Sequence, residues 1–110
     1  MSARPASGLL VSAMIRRIEA EGGHAMVLAK GDATAGAILL VIADRGQTLR
    51  ILERTMDHEG TYRWSPAGPA ALEEGPALGD YIGRRRRNDP DLWVVELDSP
   101  DAERIAAELV

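Results

Sequence analysis

The sequence predicts an α+β fold, with a mainly antiparallel sheet of four to five strands against which the first and second helices pack. Two observations carry this prediction. Apolar segments bounded by turn residues predict strands, and apolar residues at three- and four-residue spacing predict helices. The predicted order is helix, three or four strands, helix, strand and helix. At 110 residues the chain has the length of one domain, in which residues 1–6 are expected to be frayed.

The first half of the chain predicts one helix and three strands. The helix runs from Ser7, its predicted N-cap, to about Glu21, because a glycine pair follows. Its buried stripe consists of Leu10, Val11, Met14, Ile15 and Ile18. The predicted strands are His24 to Lys30, which is apolar on both faces, then Ala37 to Ala43 and Thr48 to Thr55. The second is apolar throughout, which predicts a central strand, and the Asp44–Gln47 turn joins it to the third.

The second half predicts a short fourth strand from Thr61 to Ser65 and one long loop from Pro66 to Pro76. A helix follows, whose inner face carries Leu78, Tyr81, Ile82 and Arg85. Glu73 and Glu74 lie at or before its start and arginines lie at its end, which complements the helix dipole. After a turn at Asn88–Asp91, Leu92–Leu97 predicts an inner strand. Ser99 and Pro100 then open a last helix.

Composition limits the location and the partners. The chain has no cysteine, which excludes disulfides and thiolate chemistry and fits a reducing compartment. No apolar stretch approaches the roughly 18 residues that span a bilayer, and the N-terminal sequence lacks the order of a signal peptide. We therefore expect a cytoplasmic protein without membrane contact. No cofactor is predicted, and the formal net charge of -4 disfavours nucleic acid as a partner.

Four consecutive arginines, Arg84–Arg87, raise the alternative of nucleic-acid binding. On a helix, successive residues turn by about 100°, so these side chains spread over roughly 300° and cannot form one patch. Arg85 falls on the apolar face, whereas Arg86 and Arg87 remain candidates for binding a phosphate or an acidic partner. We favour structural roles for the run because no aromatic residues are interleaved with it.

Three aspartates raise the alternative of a metal-dependent hydrolase: Asp32, Asp89 and Asp91. The last two lie on either side of Pro90, so in an extended chain they point to one side. A turn explains the same residues without a metal, because aspartate suits the first turn position and proline the second. We therefore predict no metal site. The hydrolase would require all three carboxylates to converge.

The order of elements also resembles that of the restriction-endonuclease-like nucleases. Such enzymes carry an acidic residue in the second strand and a Glu-x-Lys-type pair in the third. Here the second strand is AILLVIA and the third contains Glu53-Arg54-Thr55, so the metal ligands and the lysine are missing. The chain would be a degenerate relative at best, because a shared order of elements is a likeness of fold alone.

Several short motifs are similar to those of one family of small bacterial proteins. They are Arg16-Arg17, Gly31-Asp32, Ala35-Gly36, Trp64 and the run DPDLWVVE from Asp89 to Glu96. Together they resemble an alphaproteobacterial family of unknown function, DUF1491, over nearly the whole chain, and DPDLWVVE is the most specific part. The resemblance implies a bacterial cytoplasmic protein of single-domain size. It implies no activity, cofactor or catalytic residue.

The predicted function is a non-catalytic binding or regulatory module that self-associates or binds a protein partner. Tyr62 and Trp64 share one side of the fourth predicted strand. An exposed Trp64 would anchor an interface, whereas a buried one is a core residue, which we favour. For Arg17, at the margin of its helix's apolar stripe, the alternatives are anion binding and a boundary position. The candidate binding residues are Arg17, Asp32, Tyr62, Trp64, Arg86, Arg87, Asp89 and Asp91.

Overall fold

The computed structural model describes residues 6–68 and 75–109. Its helices are α1 (Ser7–Ala20), α2 (Gly75–Asn88) and α3 (Ala102–Leu109). Its strands are β1 (His24–Ala29), β2 (Ile38–Asp44), β3 (Gln47–Met56), β4 (Tyr62–Ala67) and β5 (Trp93–Asp98). None of these helices combines the length and apolarity needed to cross a bilayer. Residues 1–5 of the predicted frayed end, and the part of the predicted loop with Glu73 and Glu74, lie outside the described residues.

The strands form one sheet in the order β1-β5-β2-β3-β4. β5 runs parallel to β2, whereas β1–β5, β2–β3 and β3–β4 are antiparallel pairs. The predicted α+β fold with a mainly antiparallel sheet is therefore confirmed. The predicted hairpin is confirmed as well: Arg45 and Gly46 join β2 to β3 with φ of 52° and 80°. Positive φ at both central residues is what a two-residue hairpin turn requires.

Alternation along β2 supplies both faces of the sheet with buried side chains. Ile38, Leu40 and Ile42 pack with α1 and α3, whereas Leu39 and Val41 pack with α2. Because both faces are covered, β2 is buried from its first residue to its sixth, which confirms the predicted central strand. The sequence assigned the cover of the sheet to the first and second helices. The structure places these on opposite faces and adds α3 beside α1.

Ser7 has a different role from the predicted one. α1 begins at Ser7, its N-cap is Ala6, and no side chain from the described part of the chain caps the helix. The buried Ser7 hydroxyl donates instead to the Gly36 carbonyl oxygen at 2.6 Å. A serine hydroxyl can donate as well as accept, and here it ties the start of the helix to the following loop. The prediction of a Ser7 cap is therefore wrong.

β4 extends beyond its predicted end at Ser65. It continues to Ala67 and includes Pro66, which the sequence placed at the start of the long loop. A proline cannot donate a ladder hydrogen bond, but an edge strand needs such bonds on one side only. β4 pairs with β3 alone in the described sheet, so Pro66 is tolerated there.

Candidate functional site

Asp32 and Asp91 meet at a junction between the loop after β1 and the segment that enters β5. The Asp32 amide donates to the Asp91 carbonyl oxygen at 3.0 Å. The Trp93 indole Nε1 donates to the Asp32 carbonyl oxygen at 2.8 Å, and the Gly36 amide donates to that oxygen at 3.2 Å. The two aspartates therefore come together through backbone atoms, and Trp93 supplies the connecting side chain.

The carboxylates of Asp32 and Asp89 stabilise local turns at and beside this junction. Asp32 Oδ2 accepts the amides of Thr34 and Ala35 at 3.1 and 2.8 Å. Asp89 Oδ1 accepts the amide of Asp91 at 3.1 Å, as the predicted turn requires. Across residues 6–68 and 75–109, no group of three or more His, Asp or Glu side chains could hold a metal ion. The three-carboxylate convergence that a hydrolase would need is not formed there.

Two glycines allow the loop to lie against β5. A β-carbon on Gly31 or Gly36 would overlap the Asp91 carbonyl oxygen, so a side chain at either position would push the segments apart. The loop is also tied to α1, because the Gly8 amide donates to the Ala33 carbonyl oxygen at 2.8 Å. The motifs that suggested a site thus hold together α1, the loop and β5.

Arg17 belongs to a closed ring of four charged side chains that joins α1 to α3. It pairs with Glu108 at 2.7 Å and with Glu21 at 3.4 Å. Arg104 completes the ring, because it pairs with the same two carboxylates at 3.0 and 3.2 Å. The Arg17 guanidinium is therefore matched by carboxylates within the fold. This arrangement favours a structural role over anion binding.

Hydrogen bonds within the ring shift the ionisation of its members. The bonds from Arg17 and then from Arg104 hold the pKa of Glu108 below its ordinary value. The bond to Glu108 in turn raises the pKa of Arg17 and that of Arg104. Each shift favours the charged form of the group.

The two aromatic residues among the candidate binding residues, Tyr62 and Trp64, lie on β4, on the face that α3 covers. Trp64 is partly buried against the core there, and its Nε1 donates to the Ala106 carbonyl oxygen at 2.8 Å. The guanidinium of Arg54 lies over the Tyr62 ring, with its central carbon 4.7 Å from the ring centroid. Trp64 therefore closes the β4 edge against α3. Asp32, by contrast, lies in the loop that leaves β1, the strand at the opposite edge of the sheet.

The arginines at the end of α2 have different environments. Arg85 donates to both carboxylate oxygens of Glu53, at 3.0 and 2.8 Å, and to the Tyr81 hydroxyl at 2.8 Å. The hydrogen bonds to Glu53 are the largest cause of a raised pKa at Arg85. Arg86 and Arg87 are exposed. Arg85 therefore faces the sheet, whereas Arg86 and Arg87 face the solvent, as helix geometry predicts.

A cavity of about 490 Å³ lies where the end of α1, the β2–β3 turn and the end of β5 meet. His24 and Asp44 line it. Beside them, the Asp98 carboxylate accepts the amides of Arg45 and Gly46, both at 2.9 Å. Asp98 therefore holds the hairpin turn in place. The sequence did not indicate this role, because the turn and the carboxylate are more than 50 residues apart.

Apolar side chains are exposed along β1. Met26, Val27 and Leu28 are 59%, 39% and 42% exposed, and Leu9 on the neighbouring α1 is 68% exposed. We call these four residues the β1 edge surface. The sequence predicted a strand that is apolar on both faces, but it gave no sign that this strand would lie at an edge. That position depends on pairing with β5, about 70 residues later in the chain.

These contacts define a small α+β domain in which the side chains of Arg17, Trp64, Arg85 and Trp93 join separate elements of the fold. A family model described as "Protein of unknown function (DUF1491)" matches residues 6–107. The chain belongs to the DUF1491 family, so the resemblance carried by the sequence motifs is confirmed.

Two solved structures show the same fold in bacterial proteins. The crystal structure of a DUF1491 family protein from Caulobacter crescentus CB15 is 35% identical, with 93% of this chain and 94% of that chain covered and a TM-score of 0.78. The solution structure of protein Atu0922 from A. tumefaciens is 32% identical, with coverage of 88% and 87% and a TM-score of 0.71. A search of curated proteins finds no significant match.

Proposed function

We propose that this protein is a non-catalytic interaction module of the bacterial cytoplasm, and that it associates with a second copy of itself through the β1 edge surface. One observation carries the proposal: large apolar side chains remain exposed on β1, an edge strand of the sheet, and Leu9 on the adjacent α1 is exposed as well. An exposed apolar edge strand is a template for pairing with another chain. Of the candidate catalytic carboxylates, those of Asp32 and Asp89, by contrast, are engaged in turns.

The two edges of the sheet differ in how they resist further strand pairing. β4 carries Pro66 within the strand and the charged Arg63, and both features discourage pairing. β1 has neither proline nor Asp, Glu, Lys or Arg between His24 and Ala29. Its one protective feature is a β-bulge after Val27, which leaves the first four residues regular. The chain thus protects its β4 edge but leaves its β1 edge apolar. This difference favours β1 as a contact surface.

The area available supports a weak dimer. Added together, the exposed fractions of the four side chains in the β1 edge surface equal roughly two fully exposed side chains per protomer. Burying them in both protomers would contribute about 6–12 kcal/mol, at about 1.5–3 kcal/mol per side chain. Association costs about 4–15 kcal/mol in lost translational and rotational freedom. We therefore expect micromolar or weaker affinity, so association must be measured at high protein concentration.

Sedimentation velocity of the full chain over a concentration series tests self-association. We expect the sedimentation coefficient to rise with concentration and Met26→Glu to abolish the rise, because the interface would bury an unpaired charge. Leu49→Glu is the matched control, since Leu49 is 53% exposed but lies on β3, outside the β1 edge surface. A chain that stays monomeric at millimolar concentration, or an equal loss in both variants, would contradict the proposal.

Calorimetry with magnesium, manganese and zinc tests the non-catalytic part of the proposal. We expect no saturable heat, because the carboxylates of Asp32 and Asp89 already accept backbone amides. Metal binding that Asp32→Asn abolishes would favour the hydrolase alternative instead.

Titration of labelled RNA and DNA at two salt concentrations tests whether the exposed Arg86 and Arg87 bind nucleic acid, since phosphate binding weakens with salt.

A further inference from the structure

Resting on the proposed self-association, we infer that two copies pair their β1 strands antiparallel about a two-fold axis normal to the sheet. The two five-stranded sheets would then form one continuous sheet of ten strands. Within the described sheet, β1 pairs with β5 on one side. The amide and carbonyl groups of alternate residues in an edge strand point to the other side. A second β1 presents the complementary groups.

The side chains on both faces of this edge favour the same partner. Val27 lies opposite Val95, which belongs to the core beneath α1 and α3, whereas Met26 lies opposite Glu96 and points to the other face. Both Met26 and Val27 are exposed, so a strand added here gains most if it is apolar on both faces. β1 itself, with the sequence HAMVLA, is such a strand.

The charge of Lys30 favours the antiparallel arrangement. Lys30 follows the strand, and the segment between His24 and Ala29 contains no Asp, Glu, Lys or Arg. Antiparallel pairing about a two-fold axis places the two Lys30 residues at opposite ends of the interface. Glu21, which precedes the strand, is already paired with Arg17 and Arg104 in its own copy. A parallel pair would place like charges together, in a chain whose net charge of -4 already opposes association.

Symmetry also determines which residue meets its own copy. Opposed residues of antiparallel strands point to the same face. The two-fold axis must therefore pass midway between one residue and the same residue of the second copy. Because the bulge follows Val27, we place the axis at Ala25, Met26 or Val27. The Cα atoms of a self-opposed pair are about 4.5 or 5.5 Å apart. A disulfide spans about 4.4–6.8 Å between Cα atoms.

A single-cysteine scan of the full chain tests this pairing, because the natural sequence has no cysteine. The variants are Ala25→Cys, Met26→Cys and Val27→Cys, with Arg63→Cys on β4 as the control. We expect one of the three to form disulfide-linked dimers on mild oxidation at least about tenfold faster than the control, because pairing raises the effective thiol concentration. Circular dichroism checks that each variant is folded.

Hydrogen exchange of the unaltered chain supplies a second measurement that needs no substitution. Within residues 24–27, the amides of the alternate residues that point away from β5 should exchange more slowly at high than at low protein concentration, whereas those of β4 should not change. If the mass rises with concentration but no β1 cysteine cross-links and exchange stays constant, strand pairing is overturned and self-association through side chains stands. If the chain remains monomeric at every concentration, both the pairing and the proposed function fail.

Discussion

The carbonyl oxygen of Asp91 is surrounded closely by backbone atoms from an earlier part of the chain. It accepts the Asp32 amide at 3.0 Å, and it lies where a side chain on Gly31 or Gly36 would have to be. Trp93, only 6% exposed, adds the indole hydrogen bond to Asp32. The glycines, the aspartate and the tryptophan of the family motifs are thus constrained by one another, and these contacts explain their residue types without a ligand.

Gly31→Ala should lower the free energy of unfolding by about 1–3 kcal/mol or more, because overpacking moves the loop away from β5. The new β-carbon would also lie 2.7 Å from the Trp93 ring. Urea unfolding followed by tryptophan fluorescence measures the change. Gly83→Ala is the control for which we expect no loss of stability, since Gly83 lies inside a helix and its β-carbon would make an ordinary contact with Arg87 at 3.5 Å. Equal stability of the Gly31 variant and the natural chain would show that the junction is loosely packed.

Helix α2 has low intrinsic helix propensity and is held by contacts with the sheet. Its sequence includes Gly75, Gly79 and Gly83, and an interior glycine costs about 1 kcal/mol relative to alanine. Its apolar contacts with the core come from Leu78, Tyr81 and Ile82. The Arg85–Glu53 ion pair, at 2.8 Å, adds a further link to β3. Tertiary packing therefore stabilises α2 more than its own sequence does.

Gly79→Ala should raise the free energy of unfolding by about 0.5–1 kcal/mol, because it removes backbone freedom from the unfolded chain. The structure has room for the change, since an added β-carbon at this position meets no atom within 4 Å. Gly22→Ala has the same open space but a φ of +88°, so we expect it to destabilise instead. Thermal unfolding of both variants checks the prediction. A shift of the same sign in both would contradict it.

Elements with a local signal could be predicted from the sequence, and roles that depend on distant pairing could not. The continuous apolar run identified β2 as the central strand, and helical spacing placed Arg85 on the buried face of α2. The candidate binding residues were chosen by their chemistry, and the structure does not bring Asp32 and Trp64 together: the Trp64 indole donates to the Ala106 carbonyl oxygen, whereas the Asp32 carbonyl oxygen accepts from the Trp93 indole. The exposure of β1 followed from its edge position, which no local pattern encodes.

Long-range contacts join the first and last helices of the molecule. Arg17 and Glu108 are 91 residues apart in sequence yet 2.7 Å apart in space. α3 has eight residues, fewer than an isolated helix needs for stability in water. Its attachment depends on buried residues such as Ile105, on the Trp64 bond to Ala106 and on the charged ring with α1. One side of the molecule thus combines an apolar core with an exposed network of charges.

The charged ring predicts a loss of stability in acid. The hydrogen bonds from Arg17 and Arg104 lower the pKa of Glu108, so the unfolded chain protonates at this carboxyl before the folded chain does. The contribution of the ring is therefore fully present above the ordinary value of 4.5 and is lost as the pH falls through the lower, folded value. Because the side chains are 36–50% exposed, solvent screening keeps this contribution small.

Glu108→Gln should consequently lower the thermal midpoint slightly near neutral pH, and its difference from the natural chain should shrink in acid, as the natural carboxyl also becomes neutral. Thermal unfolding across this pH range measures the difference, with Glu59→Gln in the exposed Asp57–Gly60 turn as the control. Added salt should shrink the Glu108 difference near neutral pH as well. A difference that stays constant with pH and salt would mean that the Glu108 side chain acts through packing, and that the charge of the ring does not hold α3 to α1.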